Sequence, residues 1–344
     1  MNKKPLHHSL LFVILGLAFL AVFITNLSLG SVHIPFMTVV KTLIGETKVV
    51  EPWSYIVQDY RLPKAITAIL AGAGLSLSGL LMQTLFKNPL AGPYVLGISS
   101  GASLGAALYI MGGASLSLLF PVFLSPSLST TIAASIGSFS VLFIVALVAS
   151  RIKNSMALLI IGLMFGSLSA AVVSILAFFS SKEALQKFIF WSYGNLGNLS
   201  PSDLKILTVF VGAGLFLSLI NIKSLNGLLL GNEYAQSIGV SLKRSSYLII
   251  IATGLLAGSI TAFAGPIAFL GLAVPHVCRL IWNTNNHKIL VPAVLLVGGI
   301  FMLVSDSIAQ LPGSAKVLPI NAITALFGSP IVIWLLLRKK EIHL

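Results

Sequence analysis

Residues 65–86 (AITAILAGAGLSLSGLLMQTLF) contain no charged side chain, and they follow two cations, Arg61 and Lys64. A run of this length can cross a hydrocarbon layer of about 30 Å as a helix rising 1.5 Å per residue. Small residues recur in it at helical spacing, with Ala68, Gly72 and Ser76 on one line and Gly74 and Ser78 on another. In water an interior glycine weakens a helix by about 1 kcal/mol against alanine. In lipid the same spacing lets helices approach closely, and close packing holds membrane helices together. After the polar break Lys87-Asn88-Pro89, a second apolar run carries Gly97, Gly101 and Gly105 at steps of four, which predicts a second packing ridge.

The whole chain is built this way. Of its 344 residues 57% are hydrophobic and 8% are charged, and the mean hydropathy is +1.02. Soluble domains carry about 25% charged residues, so the composition excludes a water-soluble globule and defines an all-α polytopic membrane protein. The single cysteine, Cys278, excludes a disulfide framework and a cysteine-based metal site. The net charge of +13 is spread in short clusters between apolar runs. That is the pattern of topology determinants, and no nucleic-acid-binding face is expected.

Ten apolar runs can be marked, at about 10–29, 64–85, 94–111, 130–149, 156–178, 204–220, 246–263, 266–282, 289–308 and 320–337. The run at 266–282 contains Pro266, Pro275, His276 and Arg279 and is expected to be short, broken or tilted. The first run lacks a small-residue cleavage site and reads as a retained helix. Ten spans put both termini on one side. With that side cytoplasmic, thirteen of the 21 Lys and Arg lie inside and eight outside, the direction that the positive-inside rule requires. The connections at about 30–63 and 181–203 are then external, the first with room for a short surface helix and the second with interfacial aromatics. The connection at about 221–245 is internal. LAGAGLSLSG at 70–79 resembles LAGSITAFAG at 256–265, which suggests an inverted repeat of the kind common in transporters. The whole chain, 1–344, reads as a single transmembrane domain.

The motifs limit the chemistry. There is no G-x-x-x-x-G-K-[ST], so the chain is not expected to hydrolyse ATP itself. Gly97-Ile98-Ser99-Ser100-Gly101 matches the nucleophile-elbow pattern but lies in an apolar helix rather than between a strand and a helix. An intramembrane serine hydrolase using Ser99 and His276 stays open as an alternative of another class. Asp306 is the one carboxylate inside a predicted span, near its outer end. Ion-coupled carriers need ionisable groups in the membrane, so this scarcity favours an external energy source over a secondary carrier. In the internal connection Asn232 is a plausible N-cap, Glu233 and Gln236 suit a first turn, and Gly239 suits a stop. The helix between them is too short to be stable alone, so packing or a partner must hold it.

Four stretches carry a family resemblance: RLPKAITAILAGAGLSLSGLLMQTLFKNPLAGPYVLGISSGASLG, LLLGNEYAQSIGVSLKR, FAGPIAFLGLAVPHVCRLIW and LPINAITALFGSPIVIWLLL. In this order, over nearly the whole chain, they resemble the FecCD-type permease subunits of bacterial ABC importers for iron–siderophore complexes, haem and cobalamin. The resemblance implies a cobalamin-importer-like permease fold in the cytoplasmic (inner) membrane. It also implies a second permease subunit in a homodimer, two ATPase subunits inside that use ATP and Mg, and a substrate-binding protein outside. Membrane lipid surrounds the assembly, and no cofactor is implied in this chain. Residue by residue, Leu230, Gly231, Asn232, Glu233, Ala235, Gly239 and Val240 match the segment that couples to the ATPase. Arg61 and Lys64 match basic positions that dock the binding protein. A third basic position of some relatives falls at Gln310. Asn88, Leu90, Asn154, Ser155 and Met156 match regions that narrow the inner end of the pathway, and Gly72, Gly97, Gly101 and Gly105 are read as helix-packing positions. Iron chelates are the expected substrates.

Overall fold

The computed structural model describes residues 8–46, 51–113, 125–151, 155–314 and 316–337, and every regular element among them is helical. In chain order the helices are α1 (His8–Ser28), α2 (Phe36–Ile44), α3 (Glu51–Phe86), α4 (Ile98–Met111), α5 (Pro126–Arg151), α6 (Ser155–Phe179), α7 (Lys182–Ser192), α8 (Pro201–Ile220), α9 (Ile222–Leu229), α10 (Asn232–Ser237), α11 (Leu242–Ala264), α12 (Leu270–Trp282), α13 (His287–Ala309) and α14 (Ile320–Leu337). Among them α1, α3, α5, α6, α8, α11 and α13 are long and apolar enough to span a bilayer, and α4, α12 and α14 are shorter apolar helices. These ten coincide with the ten runs of the sequence. Helix α2 is the surface helix expected in the 30–63 connection. The chain then re-enters helix earlier than the apolar run suggests, because residues 51–61 continue into α3 through a π turn at Ile56–Arg61.

Helix α3 is the centre of the bundle. In its apolar window 78% of residues are buried, against 11% for α1 and 17% for α6. Glycine makes this burial possible. A Cβ on Gly72 would sit 2.2 Å from the Gly298 carbonyl oxygen of α13, and one on Gly79 would sit 1.9 Å from that of Gly271 in α12. The main chains of α13 and α12 therefore lie directly on α3. A second contact of this kind joins α4 to α5, where Gly101 faces the carbonyl of Gly137 and Gly105 that of Ala133.

One expectation needs correction. Gly97 is not on the α4 ridge. It follows a 3-10 turn at Pro93–Leu96 and adopts φ 73°, so it ends that turn before α4 begins at Ile98. A left-handed φ is what glycine permits and other residues resist. The would-be Cβ of Gly97 faces first the Gly162 carbonyl of α6, at 2.9 Å, and then Val141 of α5, at 3.4 Å. The run at 266–282 is short, as expected: helix starts only at Leu270, directly after Phe269 takes a left-handed φ of 70°. The two halves of the suggested repeat also differ locally. Gly79 lies inside α3, whereas Gly265 terminates α11 and the stretch before it contains a π turn at Gly254–Gly258.

Candidate functional site

Two networks of polar side chains tie the helices together, one near each end of α3. At one end, Arg61 sits at the last turn before the apolar part of α3. Its Nη1 donates to the carbonyls of Leu27 (2.7 Å) and Ser28 (2.9 Å), and its Nη2 to that of Val32. Arg61 thereby clamps the end of α1 and the turn after it, supplying acceptors' partners that a helix C-terminus otherwise leaves unmet. One turn on, Lys64 Nζ lies 2.9 Å from Asp306 Oδ1, with the two side chains 20% and 3% exposed. The other carboxylate oxygen accepts from Gln310 Nε2 (2.6 Å) and Asn26 Nδ2 (3.0 Å). Asn26 also donates to Leu303 O and Ser307 Oγ, tying α1 to α13. The structure thus brings together both cations read from the sequence, Gln310 and Asp306. It adds Asn26, whose only sequence signal was an amide beside the end of an apolar run.

At the opposite end, Lys87 ends α3 with φ 48°. Asn88 Oδ1 accepts from the amide of Leu90 at 2.9 Å, so Asn88 shapes the turn, while Leu90 is 45% exposed. His276 Nε2 donates to the carbonyl of Pro89 at 2.8 Å. Gln83 bridges α3 to α12, donating to Gly271 O at 3.2 Å and accepting from Arg279 Nη1 at 2.5 Å. The fully buried His287 contacts Thr84 Oγ1 through Nε2 (2.8 Å) and Asn226 Oδ1 through Nδ1 (2.9 Å). Asn226 belongs to α9, so this network joins the connection at 221–245 to the core of the bundle. Gln83, Asn226 and His287 were not singled out in the sequence. Asn154, and the side chains of Ser155 and Met156, lie outside the described residues; α6 begins at Ser155.

The connection itself folds as α9 and α10. Gly231 occupies the N-cap position with φ 111°, one residue before the expected Asn232, and Gly239 ends the turn with φ 83°. Ala235 and Val240 are buried, and Ile238 reaches Gly227 of α9 although 39% exposed. Leu230 (65%) and Tyr234 (49%) are exposed beside the exposed Asn232, Glu233 and Gln236. The result is a small ledge anchored on its inner side and presenting mixed apolar and polar groups outward.

Ser99 and His276 do not form a catalytic pair. Ser99 Oγ contacts Thr261 Oγ1 at 3.2 Å in the packing between α4 and α11, while His276 bonds to Pro89. No group of three metal-ligating side chains occurs among the described residues. A groove of about 880 Å³ lies elsewhere, on the outer side of α5 and α8, and is lined by apolar side chains including Phe139, Phe143, Phe210 and Phe263.

A multi-span helical bundle with an anchored ledge at one end and a cation pair at the other is the architecture of a membrane permease. The model of the FecCD transport family matches residues 17–338, and the chain belongs to that family. The hemin transport system permease protein HmuU of Yersinia pestis is 32% identical over 328 residues, covering 95% of this chain and 96% of HmuU. The vitamin B12 import system permease protein BtuC of Klebsiella pneumoniae is 34% identical over 280 residues, covering 81% and 82%. A solved ABC transporter assigned to the metal-chelate type, in an inward-facing conformation, superposes with a TM-score of 0.82 at 27% identity over 95% of this chain and 99% of that one. The chain is a permease subunit of an ABC importer of this family, and the family implies a bacterial inner membrane, an ATPase and a substrate-binding partner.

Proposed function

We propose that this chain forms the translocation pathway of an ATP-driven importer for a ferric siderophore or a similar iron chelate, working by alternating access. The observation that carries the reading is the whole-chain match to the family together with a ledge at 230–240 that is anchored inside and exposed outside. A second copy of the chain completes the pathway, and the exposed faces of α6 and α14 support that arrangement. Residues 1–344 act as one permease domain without a cofactor of their own, and two partner ATPases bind ATP and Mg. Both termini and the ledge face the cytoplasm. There Leu230, Gly231, Asn232, Glu233, Ala235, Gly239 and Val240 seat the ATPase, and Asn88, Leu90, Asn154, Ser155 and Met156 border the inner gate. Arg61 and Lys64 lie outside and dock the binding protein through its carboxylates, which favours rapid, oriented encounter.

Haem or cobalamin is the second reading of the cargo, favoured by the named activities of HmuU and BtuC. The experiment is a binding and uptake panel of ferric siderophores, haem and cobalamin, using the co-encoded binding protein and the assembled transporter. Saturable uptake of ferric siderophore supports the first reading. Uptake confined to haem or cobalamin replaces it.

A further inference from the structure

We propose that Asp306 is a positioning residue that competes with the docking partner for the Lys64 ammonium, so that a partner carboxylate takes Lys64 only by displacing Asp306. The inference rests on the docking reading given above. Three observations carry it.

First, the Lys64 ammonium is already engaged. It lies 2.9 Å from Asp306 Oδ1 and its side chain is only 20% exposed, so docking through Lys64 requires the bridge to open. Arg61 differs, because its partners are neutral carbonyls. Among the described residues it meets no carboxylate, so its positive charge stays visible to an acidic surface, whereas that of Lys64 is cancelled until exchange occurs. Second, Asp306 is built to survive the exchange. A buried carboxylate stripped of its partners is strongly disfavoured. Here Gln310 Nε2 and Asn26 Nδ2 both donate to Oδ2, so the charge keeps two hydrogen bonds after Lys64 leaves. The amide at position 310 supplies the shorter of these bonds. Third, the Lys64 stem runs alongside the loop at 195–198, where Asn195, Gly197 and Asn198 are exposed, with Cδ 3.6 Å from where a Gly197 Cβ would lie. A lysine stem of this length can carry its ammonium from a buried partner to water.

The exchange has a mechanical consequence. It cuts the ion pair between α3 and α13 at the outer end and leaves the Asn26 tie between α1 and α13 and the Gly72–Gly298 contact in place. Docking therefore loosens the central helix at one end only. By linkage, a permease conformation in which this bridge is open binds the partner more tightly.

The test is a double-mutant cycle on the permease–ATPase complex in lipid nanodiscs, titrated with its binding protein at low ionic strength. Lys64→Met should weaken docking. Asp306→Asn should tighten it about tenfold, the lower range expected for freeing one charge-assisted hydrogen bond. Combined with Lys64→Met, Asp306→Asn should change nothing, and Asp306→Glu should restore affinity close to that of the unaltered protein. Equal tightening with and without Lys64 would mean that only the surface field had changed, which overturns the competition. An unchanged affinity in Asp306→Asn, with docking still sensitive to Lys64→Met, overturns it as well. If Lys64→Met has no effect, Lys64 takes no part in docking, and the docking reading falls together with the competition. Should Asp306→Asn fail to fold, Gln310→Met serves instead. It removes a donor from Asp306, tightens the hold on Lys64 and should weaken docking several-fold; unchanged or tighter docking overturns the proposal.

Discussion

Alanine at Gly79 is predicted to destabilise the bundle, because no side chain can move to make room. The added methyl would lie 1.9 Å from Gly271 O, 2.3 Å from its Cα and 2.4 Å from its carbonyl carbon. Ordinary carbon contacts begin near 3.4 Å, so α3 and α12 would have to part by about 1.5 Å. That separation also stretches the bond from Gln83 to the Gly271 carbonyl, now 3.2 Å. Alanine returns about 1 kcal/mol of helix propensity. Overpacking costs about 1–3 kcal/mol or more, and the weakened buried hydrogen bond about 1 kcal/mol. The net loss is roughly 1–3 kcal/mol. Gly212→Ala is the matched control, since nothing lies within 4 Å of its would-be Cβ. It should be neutral or stabilising by up to about 1 kcal/mol. Thermal unfolding of both variants in one detergent measures the contrast. A Gly79→Ala protein that melts at or above the unaltered temperature would refute main-chain contact between α3 and α12.

Arg61→Lys should lower stability by about 2–4 kcal/mol in the same melt, because one ammonium does not span the three carbonyls of Leu27, Ser28 and Val32. A loss equal to that of an exposed arginine would count against the clamp. Tyr234→Asp should reduce co-purification of the ATPase at least tenfold while leaving the permease melt within about 0.5 kcal/mol, since Tyr234 is 49% exposed. A joint loss of assembly and stability would instead make the ledge structural. His287→Ala and Asn226→Ala should each cost about 1–3 kcal/mol, and the pair should cost less than the sum, because the 2.9 Å contact is lost in either. Strict additivity would refute the link between α9 and α13.

The spans were legible because each is a run with few charges, and the centrality of α3 because small residues such as Gly72 and Gly74 recur at helical spacing, which suits close packing. What the sequence could not reveal depends on neighbours far along the chain. Gly97, Gly101 and Gly105 share a spacing and all supply room, yet Gly97 alone of the three also supplies a left-handed φ. Spacing alone does not separate those uses. Arg61 and Lys64 stood out as cations at an apolar boundary, but their acceptors lie 29–34 residues upstream and more than 200 downstream. Gln83, Asn226 and His287 carry no periodic signal, since a buried polar group is defined by its partner and not by its position. The ledge was readable from Asn232, Glu233 and Gly239, with its cap displaced by one residue to Gly231, within the usual uncertainty of helix ends.

The central claim is that this chain moves its cargo with energy supplied by a partner ATPase. The most direct measurement uses inverted-orientation-controlled vesicles holding the chain with its co-encoded ATPase, loaded binding protein outside, and ATP with Mg inside. Accumulation of the bound chelate that requires internal ATP, survives a protonophore and stops when the ATPase catalytic glutamate is replaced is the predicted result. Accumulation that persists without ATP, or collapses with the proton gradient while ATP remains, would contradict it.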